Sequence, residues 1–164
     1  MEESARKARN AQRLSTLHTK FAARLARVIQ ALENDQLRPR IQDAWRSQAD
    51  QLAAFNSGHS KLKFGFHNVT AADGTPEALA VDLLDDNAPL NPGKPYILRL
   101  AAAAEDEQLV TGIRWGLPIA LREAIDQALA AQDWKAPVKV GWDPLHVEAT
   151  GITVQEAKQG KRPK

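Results

Sequence analysis

The sequence predicts an α+β fold: a small, mainly antiparallel sheet with flanking helices. Three observations lead there. An apolar stripe at helical spacing runs through the first third of the chain. Short apolar segments, closed off by Gly, Pro, Asn and Asp, occupy the rest. Helix-like and strand-like segments alternate without the regular rhythm of βαβ units. The chain has 164 residues, 43% of them apolar and 26% charged, which suits one globular domain with a real core. Residues 1–164 are therefore read as a single domain, with basic, polar ends at 1–10 and 158–164 that are expected to be flexible.

Leu14, Leu17, Phe21, Leu25, Val28 and Leu32 share one face of a helix over about 11–34, and Pro39 forbids its continuation. A short extended piece, about 40–45, and a short helix, about 47–55, come next, the latter broken by Asn56-Ser57-Gly58. Residues 64–76 read as a loop, and ALAVDLL at 78–84 as a buried strand with one acid inside it. A second loop spans 85–94, followed by a helix over 95–106 and a strand over 110–115. Pro118 opens a helix to about residue 131, a favoured place for proline. Extended pieces surround Asp143-Pro144 within 138–147.

Composition narrows the chemistry. There is no cysteine, so disulfides and thiolate metal sites are excluded. Any zinc must be held by His, Asp or Glu, and the histidines are only His18, His59, His67 and His146. No apolar run approaches a membrane span, and the opening MEESARKARNAQR lacks the apolar stretch of a secretory signal. Synthesis in the cytoplasm is expected, with action elsewhere only after release. Positive charge gathers at the ends, where Lys158–Lys164 has four basic residues and no acid. Aromatics are only 5% and do not interleave with these charges, so specific nucleic-acid binding is not expected.

Asp82 sits between Val81 and Leu83, and an unpaired carboxylate is costly to bury. Taken alone it reads as a solvent-facing residue of a half-buried strand. His67, in SKLKFGFHN, and His146, in GWDPLHVE, change the weighing. Two histidines and a carboxylate form the ligand set of many catalytic zinc sites, which keep a coordination position open. Asp143 precedes His146 by three positions, which in a regular strand would place the two on opposite faces. Pro144 can turn the chain so that they converge, and Asp143 is then a candidate general base. Arg46 could hold a substrate carboxylate or stabilise an oxyanion. Its default reading is a surface arginine, and that of Trp115 is packing rather than contact with a substrate.

Taken together, these segments resemble the zinc peptidases that include D-alanyl-D-alanine carboxypeptidases and phage L-alanyl-D-glutamate endopeptidases. The likeness runs from about Leu14 to Ala157. RLSTLHTKF resembles the family's opening helix, AWRSQADQL its Arg segment and Gln-containing helix, and SGHSKLKFGFH the loop leading to the first zinc histidine. ALAVDL resembles the strand with the zinc aspartate, TGIRWGLP the Gly/Trp strand, and WDPLHVE the closing motif. The resemblance implies His67, Asp82 and His146 as zinc ligands, Asp143 as general base and Arg46 as stabiliser of the substrate carbonyl or transition state. Two features depart from the pattern. The family's acid usually follows its first histidine more closely than Asp82 follows His67, leaving Asp73, Asp85 and Asp86 as alternatives. Gly65 stands where the family often has a serine, a role that Ser60 could supply.

What the resemblance implies is a zinc metallopeptidase, a monomer acting on peptidoglycan stem peptides. Asp rather than Glu at position 143 points to an L-alanyl-D-glutamate endopeptidase of the phage or prophage endolysin type. The alternatives are a D-alanyl-D-alanine carboxypeptidase and a non-catalytic, zinc-containing wall-binding domain.

Overall fold

The computed structural model describes residues 1–164. Its centre is a four-stranded sheet in the order β1-β2-β4-β3, formed by β1 (Pro39–Asp43), β2 (Ala80–Asp85), β3 (Leu109–Gly112) and β4 (Asp143–Ala149). Every neighbouring pair is antiparallel. Six helices surround it: α1 (Glu3–Leu14), α2 (Thr19–Asn34), α3 (Gln48–Asn56), α4 (Lys94–Asp106), α5 (Ile119–Ala130) and α6 (Val154–Lys158). No helix is long and apolar enough to cross a membrane.

The strand order follows from the connections. After β2 the chain crosses through α4 and returns as β3, one place removed from β2. β4 fills the gap, so the sheet is complete only when this late segment is in place. Alternation along β2 and β4 separates two faces. Val81, Leu83 and Val147 are fully buried in the main core with Phe21, Leu25 and Val28 of α2 and Leu100 of α4. Asp82 and His146 fall on the opposite face. A smaller core lies between the other side of α4 and α5, with Ile113 and Val138.

The single N-terminal helix expected over 11–34 is two helices with a break at 15–18. The hydroxyls of Ser15 and Thr16 donate to the carbonyls of Gln12 (2.6 Å) and Arg13 (2.7 Å), closing the end of α1. The backbone then pairs with the approach to β2: His18 N–H donates to Ala78 O (3.0 Å) and Ala78 N–H to Thr16 O (3.1 Å). Leu17 stays buried across the break, so the apolar spacing continues where the helix does not.

Most of residues 1–10 lie in α1, which packs along β1. Arg6 is 1% exposed and donates to Pro39 O (2.6 Å) and to Glu33 (2.7 Å). Asn10 donates to Pro39 O (3.0 Å) and accepts from Ile41 N–H (2.9 Å). These side chains satisfy the outer backbone of β1, so α1 covers what would be an open sheet edge. At the other end, Arg162 is held by Glu77 (2.7 Å) and Thr70 O (2.7 Å), which ties down part of 158–164.

If α1 is part of the fold, Arg6→Met should destabilise the protein by about 2 kcal/mol through the lost charged hydrogen bonds. Lys7→Met, on the exposed side of the same helix, should change it by less than about 0.5 kcal/mol. Urea unfolding of the two variants checks this, and equal midpoints would mean that α1 does not dock.

Candidate metal centre

Asp82 and His146 stand directly opposite each other on β2 and β4. Asp82 Oδ1 lies 3.4 Å from His146 Nδ1 and 3.9 Å from His67 Nε2. These three ligand atoms all lie within 4.8 Å of one another. Ligands at zinc's usual bond lengths, tetrahedrally arranged, stand roughly 3.3–3.6 Å apart. The trio therefore needs only a small contraction to enclose one ion.

His67 comes from a 3-10 turn (Phe66–Asn68) fastened to the segment after β1. Arg46 N–H donates to His67 O (2.8 Å), and Asn68 Nδ2 donates to Arg46 O (2.9 Å). His67 Nδ1 is 2.6 Å from Ala44 O. A carbonyl can only accept, so Nδ1 carries the proton and Nε2 presents its lone pair towards Asp82. His146 Nε2 is likewise 2.8 Å from a Glu148 oxygen, which leaves Nδ1 on the Asp82 side. Each imidazole thus has one nitrogen tied to an acceptor and the other turned to the common centre, the arrangement metal-binding histidines require. The donor set fits zinc: two nitrogens, one carboxylate oxygen and no thiolate.

Asp143 reaches the same cleft through an irregularity in the sheet. Thr111 pairs with Val147, yet the next residue, Gly112, pairs with Asp143. On the β3 side the pairing skips residues 144–146, while His146 stays paired with Asp82 on the β2 side, and this irregularity breaks the regular face alternation between Asp143 and His146. Gly112 is required here: a Cβ at that position would lie 2.1 Å from Asp143 O. The Trp115 ring packs 5.3 Å from the His146 ring and 5.1 Å from that of Trp142, which is 70% exposed at the rim.

The cleft has a volume of about 380 Å³ and is lined by all three candidate ligands together with Asp143, Arg46, Ser60 and Trp115. Arg46 is bonded to Asp43 and donates to Gln51 Oε1 (3.1 Å). Gln51, 4% exposed, donates in turn to Ser60 Oγ (2.9 Å) and Leu62 O (2.6 Å). Sequence reasoning placed Gln51 only as part of a helix and passed over Glu148 and Trp142. The i, i+2 spacing of His146 and Glu148 on a strand was the available signal for Glu148. The alternative acids lie elsewhere. Asp73 caps a turn at Thr75 N (3.0 Å), Asp85 accepts from Asn87 N (3.0 Å), and Asp86 pairs with Arg38 (3.0 Å) and Arg40 (3.3 Å). His59 lines the cleft, bonded to Ser57 (2.8 Å), and His18 is half-buried at the start of α2.

Electrostatics mark the same place. Burial opposes charge on His146, but hydrogen bonds to Asp82 and Glu148 outweigh it and raise its pKa to about 9. Asp82 moves the other way: burial raises it, while His146, His67 and Arg46 together hold it below the usual carboxylate range. Burial raises Asp143, opposed by His146 and reinforced by the Asp82 charge.

No protein-family model matches the sequence, and no curated protein matches it. Among solved structures, the crystal structure of Serratia marcescens L-Ala D-Glu endopeptidase ChiX is similar, with a TM-score of 0.54 and 18% identity over 87% of each chain. This chain has the fold of that endopeptidase. The vancomycin-resistance D,D-pentapeptidase VanY, in complex with Zn(II), aligns at a TM-score of 0.42 and 16% identity over 87% of this chain and 76% of its own.

The His146 shift has a sign that can be tested in chelator-treated protein. A pKa raised from 6.5 to about 9 contributes stability that is complete below about 6.5 and lost as pH rises through about 9. Between those values the urea midpoint of the wild type should fall more steeply than that of His146→Asn. Parallel curves across the window would show that the Asp82–His146–Glu148 contact is not formed.

Proposed function

We propose that the protein is a zinc-dependent peptidase that hydrolyses peptidoglycan stem peptides, with the L-Ala–D-Glu bond as its target. The observation that carries this reading is the convergence of two imidazoles and a carboxylate beside a further, unligated acid in one open cleft. The shared fold with an L-Ala D-Glu endopeptidase supports the choice of substrate.

His67 Nε2, Asp82 and His146 Nδ1 would hold the zinc, leaving one side open to the cleft. Bound zinc supplies a Lewis acid that polarises a carbonyl and acidifies water near neutral pH. Asp143 accepts the proton of the attacking water and returns it to the leaving amine. In the metal-free protein burial raises the pKa of its carboxyl. Arg46 stabilises negative charge on the substrate oxygen, its guanidinium held in place by Asp43 and Gln51. Ser60 and Trp115 line the cleft in which the substrate would lie. A non-catalytic wall-binding domain has no need of Asp143.

Cleavage at a D-Ala terminus is the second reading. It calls for a cation to grip a free carboxylate, and Lys61 is among the residues that line the cleft.

Asp143→Asn should keep its zinc and lose at least about 100-fold in hydrolysis rate, the usual scale of a general base. Mass analysis of fragments from purified peptidoglycan, beside a free D-Ala-D-Ala peptide, identifies the bond. New L-Ala carboxyl ends support the endopeptidase, and released D-Ala supports the second reading. Undiminished lysis by the variant would remove Asp143 from the mechanism.

A further inference from the structure

His146 is the one candidate ligand whose two ring nitrogens both face carboxylates. Nδ1 looks to Asp82 at 3.4 Å and Nε2 to Glu148 at 2.8 Å. Glu148 follows His146 by two positions on β4, so both side chains stand on the cleft face of the sheet. Directly opposite Glu148 on β2 is Ala80, fully buried and too small to compete for that space. The Glu148 side chain is 22% exposed and His146 11%, so water contributes little to holding the ring. With the imidazole between it and Asp82, Glu148 is placed behind the ligand rather than among the ligands, and it is not part of the close trio.

An imidazole offers a metal either nitrogen, and the choice is set by the bond the other nitrogen makes. An ionised carboxylate only accepts, so Glu148 favours a proton on Nε2. Nδ1 then keeps its lone pair on the Asp82 side. We propose that Glu148 is a positioning residue of the metal centre, fixing the tautomer and orientation of His146 so that Nδ1 is the ligand atom. The inference rests on the metal reading above. It gives a role to Glu148, the last residue of WDPLHVE.

The test measures metal binding by the chelator-stripped full chain rather than turnover. Zinc affinity is read by competition with a chromophoric chelator for the wild type, Glu148→Leu, Glu148→Gln and Asp82→Asn. Glu148→Leu should bind zinc about 10- to 100-fold more weakly, the usual cost of losing such a partner. Glu148→Gln keeps an acceptor oxygen and should recover most of that loss. Asp82→Asn should lose binding outright. Nitrogen-15 spectra of the zinc-loaded wild type add a readout that a merely structural role would not move: His146 should be protonated at Nε2 and metal-bound at Nδ1. Metallation at Nε2 overturns the proposal without any variant, which covers a Glu148→Leu chain that fails to fold. A folded Glu148→Leu protein with wild-type affinity also overturns it. Failure of the wild type to bind one zinc overturns the metal reading, and this inference with it.

Discussion

The pairing of Asp82 with His146 across β2 and β4 is the constraint on which the rest of the site depends. Because side chains alternate along a strand, the register that puts this polar pair in the cleft also puts Val81 against Val147 in the core. A slip of one residue would bury a carboxylate and an imidazole and expose two valines. The apolar core therefore enforces the geometry of the polar face. β4 is also the strand that fills the gap between β2 and β3, so completing the sheet and assembling the candidate centre are one event.

The other half of the site hangs on loops, yet it is not loosely held. The segment after β1 and the turn carrying His67 exchange backbone and side-chain hydrogen bonds through Ala44, Arg46 and Asn68. Asn68 Oδ1 also accepts from Gly65 N–H (2.8 Å), closing the turn on itself. Gln51 extends the same network to Ser60 and Leu62. The groups that would bind substrate and the first histidine thus share one scaffold, anchored to the sheet edge through β1. Replacing Gln51 or Asn68 would disturb several cleft residues together.

Much of this was legible in the sequence, and the reasons differ by residue. Asp82 stood out because an acid in ALAVDLL breaks the pattern of a buried strand, and such a break is expected where function overrides local preference. The α+β class followed from periodicity and turn residues. The break between α1 and α2 was invisible because Leu14, Leu17 and Phe21 keep helical spacing across it. The docking of α1 was hidden for another reason. It is made by Arg6 and Asn10, polar residues whose partners are backbone groups of a strand about thirty positions away, and no local pattern announces them. Glu148 looked like one more solvent-facing residue of a strand. Its meaning appears only once His146 is seen to need a partner on its far side.

Charge balance completes the argument for a cation. Asp82, Asp143 and Glu148 line the cleft and Asp43 lies beside it, bonded to Arg46. Arg46 is the one permanent cation bonded to this group, and it is already engaged by Asp43. Carboxylates brought together in a half-buried site repel one another unless positive charge is supplied. In the metal-free protein a proton on His146 supplies part of it, which is why that imidazole holds its proton up to about pH 9. The Nδ1 edge of that ring faces Asp82 Oδ1 at 3.4 Å, on the side where the ligand atoms of the trio converge. A divalent ion held by His67, Asp82 and His146 would supply positive charge to the same group of carboxylates, with Glu148 on the far side of the His146 ring. The unusual basicity of His146 and the proposed metal affinity are thus two expressions of the same concentration of negative charge.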